Sequence, residues 1–199
     1  MTRIIAIALL VILPVVATAT DAYTALKTRF AAAAQITLDV LITVDSDMFG
    51  TVDSADGVIY IAADGRYYAR IIDDVYLFDG KCIWEYSAEN NQVTKDCLDD
   101  DEYFKSKLSF IKNLDRHYEA STLRPDSLYI LRRLNDEDSS LPDSLNLSLA
   151  DKNLSRISYY DLNNDLNTVM IQSQQCDSVV TDSLYHITIP DSTEIIVVP

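Results

Sequence analysis

The spacing of apolar residues changes several times along the chain. Behind Asp21, a competent N-cap, Tyr23, Leu26, Phe30 and Ala33 recur at helical spacing, which predicts an amphipathic helix from 21 to about 35. At Ile36 the period falls to two, with Ile36, Leu38, Val40 and Ile42 on one face, and the same alternation returns over 58–63, 66–72 and 75–78. Asp56-Gly57, Asp64-Gly65, Asp73-Asp74 and Asp79-Gly80 read as the turns between these runs. Strands joined so tightly must be antiparallel neighbours.

Two further runs, 82–86 and 93–97, flank the mostly polar 87–92 and form a hairpin. The acidic stretch 99–102 then precedes Phe104, Leu108 and Ile111 at i, i+4, i+7, with Leu114 extending the stripe, so a second amphipathic helix is expected with negative charge at its favourable end. After it, 127–134, 144–149, 154–161, 168–173 and 183–189 read as strands. Roughly ten short strands with two helices make an α+β domain built on one antiparallel sheet.

Composition narrows the function. The chain has 199 residues with 16 Lys and Arg against 31 Asp and Glu, a formal net charge of −15. Partners held by their phosphates, nucleic acids above all, are excluded, because such affinity comes from basic side chains releasing counterions. The four glycines, Gly50, Gly57, Gly65 and Gly80, are too far apart for a phosphate-cradling loop or a dinucleotide turn.

At the N-terminus Arg3, the apolar stretch 4–16 and the small-x-small Ala17-Thr18-Ala19 have the form of a secretory signal peptide. A membrane anchor would need about 20 apolar residues. The expected organisation is a signal peptide over 1–19 and a single soluble exported domain over 20–199.

Export permits disulfides, and three cysteines are present: Cys82, Cys97 and Cys176. If Glu89-Asn90 forms the loop of the 82–97 hairpin, Cys82 faces Cys97; if Asn90-Asn91 forms it, Cys97 faces Trp84. Both registers put the two sulfurs on one face, which leaves two readings open: a Cys82–Cys97 bridge, or a pair of small buried thiols.

Catalytic chemistry has little to build on. His117 and His186 are the two histidines, and they read as surface and strand residues. There is no Gly-x-Ser-x-Gly turn and no paired-histidine metal spacing. The run Asp161-Leu162-Asn163-Asn164-Asp165 departs from a calcium loop at its sixth position, Leu166, and its twelfth, Gln172. No catalytic residues, metal or cofactor are expected.

The ordered set Leu26-Lys27-Thr28-Arg29-Phe30, the 36–44 strand, Gly57-Val58-Ile59-Tyr60-Ile61, and above all Asp79-Gly80-Lys81-Cys82-Ile83-Trp84-Glu85-Tyr86 with Gln92-Val93 resembles the LolA family of periplasmic outer-membrane lipoprotein carriers. The resemblance is clear over 21–98 and extends more faintly to Pro199, where Ile187-Thr188-Ile189-Pro190 is similar to the family's closing strand.

It implies an antiparallel sheet curled into an unclosed β-barrel, with helices lying over the concave face as a lid. It also implies a monomeric, non-enzymatic periplasmic carrier that takes acylated lipoproteins from an inner-membrane release complex and passes them to an outer-membrane acceptor. A lipid- or lipoprotein-binding sensor or scaffold of the same fold that does not shuttle is the alternative, and a secreted hydrolase the third reading.

A palmitoyl chain in water is unfavourable by on the order of 12 kcal/mol, so a carrier needs an apolar interior rather than catalytic groups. Strand parity places Ile36, Leu38, Ile59, Ile61, Tyr67, Ala69, Ile71, Tyr76, Phe78, Trp84 and Tyr86 on the cavity side. Phe104, Leu108 and Ile111 form the lid helix. The family's Arg-Pro pair, whose arginine holds the lid, is replaced by Ala63 and Asp64, so a latch of that type is missing.

Overall fold

A computed structural model describes residues 21–97, 109–134 and 141–198. Asp21 caps the first helix, α1 (Ala22–Ala32), by accepting from the Thr24 amide at 3.0 Å, and Ala22, Tyr23, Leu26 and Phe30 form its buried stripe. The helix stops three residues earlier than its apolar spacing predicts. Ala33 is already extended (φ −71°, ψ 135°), because the chain must straighten to enter the sheet at Gln35.

Two antiparallel meanders follow. The first comprises β1 (Gln35–Ser46), β2 (Thr51–Ala62), β3 (Tyr67–Ile71), β4 (Asp74–Phe78), β5 (Cys82–Ser87) and β6 (Gln92–Cys97). The second comprises β7 (Tyr118–Arg124), β8 (Leu128–Arg133), β9 (Ser144–Ala150), β10 (Asn153–Tyr160) and β11 (Leu166–Asp177). Antiparallel pairing of β1 with β11 joins them, and β12 (Glu194–Val198) adds to β6 in parallel. The order is β12-β6-β5-β4-β3-β2-β1-β11-β10-β9-β8-β7, an open twelve-stranded mixed sheet. This is an unclosed barrel, and its curl is deep: Glu85 on β5 and Arg133 on β8, with seven strands between them, line the same cavity. A bulge at Asp39/Val40 in the β1–β11 pair adds local twist at the centre of the sheet.

Several expectations are corrected. Asp56-Gly57 is not a turn; β1 and β2 form one long hairpin whose tip is 47–50, and Gly57 sits mid-strand opposite Val40. A Cβ on Gly57 would lie 2.8 Å from the Arg70 carbonyl, so the close approach of β3 requires glycine there. Residues 183–189 are not a strand. A 3-10 helix (Asp182–Tyr185) and an irregular segment cross the convex face, where Tyr185 packs with Ala62 and Leu77, and Arg66 stacks on its ring while pairing with Asp182. Strands β7 and β12 were not expected.

In the described part of the expected second helix, a 3-10 turn (Ser109–Asn113) leads into the one-turn α2 (Leu114–His117), with Ile111 and Leu114 buried. Phe104 and Leu108 lie outside the described residues, as does the whole of 1–19.

Candidate ligand-binding cavity

The concave face divides along the strands. At the α1 end, Ile36 and Ile61 form a directly opposed pair and are fully buried in one cluster with Leu26 and Phe30. Towards the β1–β2 hairpin the filling gives out, and a cavity of about 710 Å³ opens between the curled halves of the sheet. That is within the usual size of sites for small apolar ligands.

Leu38, Ile59, Tyr67, Ala69, Ile71 and Tyr76 stand at the cavity wall, and Ile111 from the 3-10 turn covers it. Ile36, Ile61 and Phe78 share this side of the sheet but are closely packed in the core.

Trp84 and Tyr86 are corrections. In the β4–β5 pair, Phe78 faces Ile83 and Tyr76 faces Glu85, while Trp84 faces Leu77. Four residues separate Phe78 from Ile83, so an even position on β4 shares its face with an odd position on β5. The expectation carried even positions straight across the turn. Ile83 and Glu85 therefore look inward, and Trp84 and Tyr86 look outward with Tyr60, Tyr68 and the strap around Tyr185.

The turn that sets this count is held by Asp79, whose carboxylate accepts from the amides of Lys81 and Cys82 and from the Trp84 indole, each at 2.8 Å. Burial opposes ionisation of Asp79, yet these three donors hold it below its ordinary range. The same outward face carries the Cys82–Cys97 disulfide, in the register centred on Glu89-Asn90.

The second meander supplies wall residues that sequence reasoning missed: Ile157, Tyr159, Val169 and Ile171, together with Ile42 of β1. Their alternation was visible, but nothing in the sequence told which parity faces β1 until the β1–β11 register was known. At the rim lie Tyr160 and Leu162, the latter fully exposed at the β10–β11 turn. Asp161 closes that turn by accepting from the amides of Asn163 and Asp165 and from the Asn167 side chain, and these bonds keep its carboxyl below the usual range. The segment resembling a calcium loop is thus a hairpin turn. Among the described residues no group of His, Cys, Asp and Glu side chains is placed to hold a metal ion.

The charged part of the lining is small. Glu85 sits opposite Tyr76, and its charge, second to burial, raises the Tyr67 phenol above its ordinary value. Arg133 pairs with Asp143 at 2.6 Å and donates to the Leu141 carbonyl at 2.5 Å, which draws Leu141 and Pro142 over the cavity.

Polar links hold the cover over the α1 end, among them a bond from the Tyr23 hydroxyl to the Asp115 carboxylate at 3.4 Å. Lys27 of α1 pairs with Asp115 of α2 at 2.6 Å, and Lys112 Nζ donates to the Ala33 carbonyl at 2.5 Å. Ala63 is exposed at the end of β2, and its amide donates to the Ala34 carbonyl at 2.7 Å.

Several solved structures are similar to this chain. An uncharacterized conserved protein from Thermus thermophilus matches with a TM-score of 0.52 at 9% identity, over 88% of this chain and 98% of that one. The two share a fold. A LolA superfamily protein from Nitrosomonas europaea matches with a TM-score of 0.45 at 10% identity, over 85% of this chain and 99% of that one. A putative outer membrane lipoprotein-sorting protein domain from Vibrio parahaemolyticus matches with a TM-score of 0.44 at 5% identity, over 82% and 94% of the two chains. No family model matches the chain, and no curated protein matches it in sequence.

Proposed function

We propose that the protein is an exported, non-enzymatic carrier that takes up acyl chains in the concave cavity and shields them from water. The observation that carries this reading is the cavity itself: about 710 Å³ walled by Leu38, Ile59, Ile71, Val169 and Ile171 and covered by Ile111. Water gains little from such a wall, whereas each methylene moved into it from solvent is worth about 0.8 kcal/mol. A site of this kind gives affinity without a reactive group.

The N-terminal pattern of Arg3, the apolar 4–16 stretch and Ala17-Thr18-Ala19 supports export to the periplasm, and the sequence likeness to LolA carriers supports acylated lipoproteins as the cargo. Within the described residues no helix is long and apolar enough to cross a membrane. On this reading delivery is to the outer membrane, and the protein acts as a monomer.

The test is native mass spectrometry of the exported protein, followed by titration of the delipidated protein with N-phenyl-1-naphthylamine. Co-purified acyl species and saturable probe binding are expected. A protein that leaves the cell empty and ignores the probe would not be a carrier of acyl chains.

A further inference from the structure

The turns at the two ends of the curled sheet differ in chemistry. At the closed end, beside α1, they carry Asp64-Gly65, Asp79-Gly80, Pro125-Asp126 and Asp151-Lys152, with no large apolar side chain. Three bonds fix their place: the Ala63 amide to the Ala34 carbonyl, the Ala22 amide to Asp126, and Arg29 to the Lys152 carbonyl. The fourth turn follows Phe78, which packs in one cluster with Phe30.

At the mouth the pattern reverses. The β1–β2 tip carries Met48 and Phe49, 77% and 75% exposed; the β3–β4 turn carries Ile72, 62% exposed; and the β10–β11 turn carries Leu162, fully exposed. Because β1 and β11 pair as far as Asp45 and Leu166, the first and last of these turns are neighbours. The β5–β6 turn at this end is polar, and its Asn91 holds Ser192 and Thr193 ahead of β12.

Ile72 is kept in water against a backbone cost. Its φ is +55°, a left-handed conformation disfavoured for a β-branched residue and readily adopted by Gly or Asn. The Ile72 amide donates to the Asp56 carbonyl at 2.9 Å, which fixes the turn, yet the side chain contributes little burial to offset the strain. An exposed apolar group retained under strain points to a surface that meets it.

We infer that the mouth docks on a zwitterionic lipid surface, with the turns at 47–50, 72–73 and 161–165 seated among the head groups. The inference rests on the acyl-carrier reading for its purpose: a chain then passes between bilayer and cavity without crossing water.

Two observations favour lipid over a protein partner. The apolar side chains stand on separate turns beside Asp47, Asp73 and Asp161, whereas a protein interface has a contiguous, shape-matched centre depleted of charge. The interfacial layer of a bilayer conforms to separate side chains, and short aspartates stay hydrated at head-group level. Cationic anchors are missing as well, since 45–56, 72–75 and 160–167 contain no Lys or Arg. Anionic lipid therefore offers these turns no attraction, and a net charge of −15 opposes it.

The experiment is flotation of the full exported protein with phosphatidylcholine vesicles, and with vesicles in which part of that lipid is replaced by phosphatidylglycerol. Binding to phosphatidylcholine is expected, weakened by phosphatidylglycerol at low salt and restored as salt is added. Met48→Ser with Phe49→Ser is expected to lower partitioning roughly tenfold or more, while N-phenyl-1-naphthylamine affinity without vesicles stays within about twofold. Ile72→Asn is expected to weaken partitioning several-fold while its urea midpoint holds or rises, the opposite of a residue kept for folding. No flotation, flotation that grows with phosphatidylglycerol, or partitioning indifferent to both variants would overturn the docking surface. A dimer in sedimentation that the Met48 and Phe49 variant dissociates would assign the tips to a second copy and overturn it too. None of these outcomes touches the acyl-binding cavity, which probe binding without vesicles tests separately. The wild-type lipid series decides the matter even should a variant fail to fold.

Discussion

Lys112 Nζ donates to the backbone carbonyl of Ala33 over 2.5 Å, so the segment leading into β7 is fastened to the C-terminal end of α1. Burial pulls the ammonium below its ordinary lysine value, while the nearby charges of Asp64 and Cys176 act the other way. A helix C-terminus presents unpaired carbonyls, and a cation is well placed to meet them. The sequence likeness to carriers leads one to look for an arginine at Ala63 reaching up from the sheet. Here the cation comes down from the cover.

Lys112→Met keeps the aliphatic stem and deletes the donor. A bond to a charged group is worth about 1.5–3 kcal/mol, and relief of desolvation returns part of it, so a net loosening of about 1–2 kcal/mol is expected. N-phenyl-1-naphthylamine uptake in stopped flow should accelerate roughly tenfold, and amide exchange over 109–113 should rise with it. Unchanged kinetics in a folded variant would show that ligand enters past Leu162 without any movement of the cover.

Ile171 and Leu26 give a paired test of wall against core. Ile171→Glu places a carboxylate in space that water can enter, whereas Leu26→Glu buries one in a fully closed cluster. The wall variant should fold, lose probe binding by more than tenfold and cost about 1–2 kcal/mol of stability. The core variant should cost more than about 4 kcal/mol or fail to fold. Similar losses in the two, read by urea unfolding, would mean the cavity is packed shut in solution.

Alternation within each strand was legible in the sequence, and it placed Leu38, Ile59, Tyr67, Ala69, Ile71 and Tyr76 on one face. What could not be read was parity across the β4–β5 turn, because that depends on how many residues the turn consumes, and Asp79 fixes the number by capping Lys81, Cys82 and Trp84. The most recognisable stretch of the chain therefore builds a hairpin and its outer face, not the cavity. Strand β12 is not legible in the sequence, since Ile195, Ile196, Val197 and Val198 do not alternate. In 183–189 the spacing of Tyr185 and Ile187 mimics a strand, yet these side chains anchor an irregular strap on the convex face.

Trp84→Phe separates the two faces. The change removes the indole donor to Asp79 and should cost about 1–2 kcal/mol, while probe affinity stays within about twofold because Trp84 lies across the sheet from the cavity. A tenfold loss of affinity would return Trp84 to the binding wall.

The Cys82–Cys97 bridge closes a loop of sequence separation 15 at the open end of the β5–β6 hairpin. Constraint of the unfolded chain by a loop of that length is worth about 3 kcal/mol. Cys82→Ala with Cys97→Ala should lower the unfolding free energy by about that amount in urea, with acyl-probe affinity unchanged within about twofold. A stability loss below about 1 kcal/mol would show that β12 and β4 hold this hairpin without the bridge.

Buried phenols set the behaviour at high pH. Burial raises the Tyr23, Tyr67 and Tyr185 hydroxyls above the ordinary tyrosine value, reinforced by Asp115 for Tyr23 and by Glu85 for Tyr67; at Tyr185 Arg66 opposes the rise and Asp64 and Asp182 add to it. Folded values above the unfolded one mean that the native chain keeps protons which the unfolded chain gives up. Their contribution is fully present below about pH 10 and is lost as pH climbs beyond it, each phenol supplying up to about 1.4 kcal/mol per pH unit. Lys112 runs the opposite way, since its lowered value makes the native chain the poorer proton holder just below the ordinary lysine range, so stability from that residue rises with pH there. Urea unfolding from about pH 8 to about pH 11.5 should therefore show a shallow gain followed by a steep fall. Tyr67→Phe should make the fall less steep, since it removes one of the five phenols that folding holds above the ordinary value, Tyr129 and Tyr159 being the other two. Phenolate absorbance should show the buried phenols ionising only as the chain unfolds; if all twelve tyrosines of the sequence titrate with ordinary midpoints in the folded protein, Tyr23 and Tyr67 on the concave side and Tyr185 under the convex strap are open to water, and neither packing is closed.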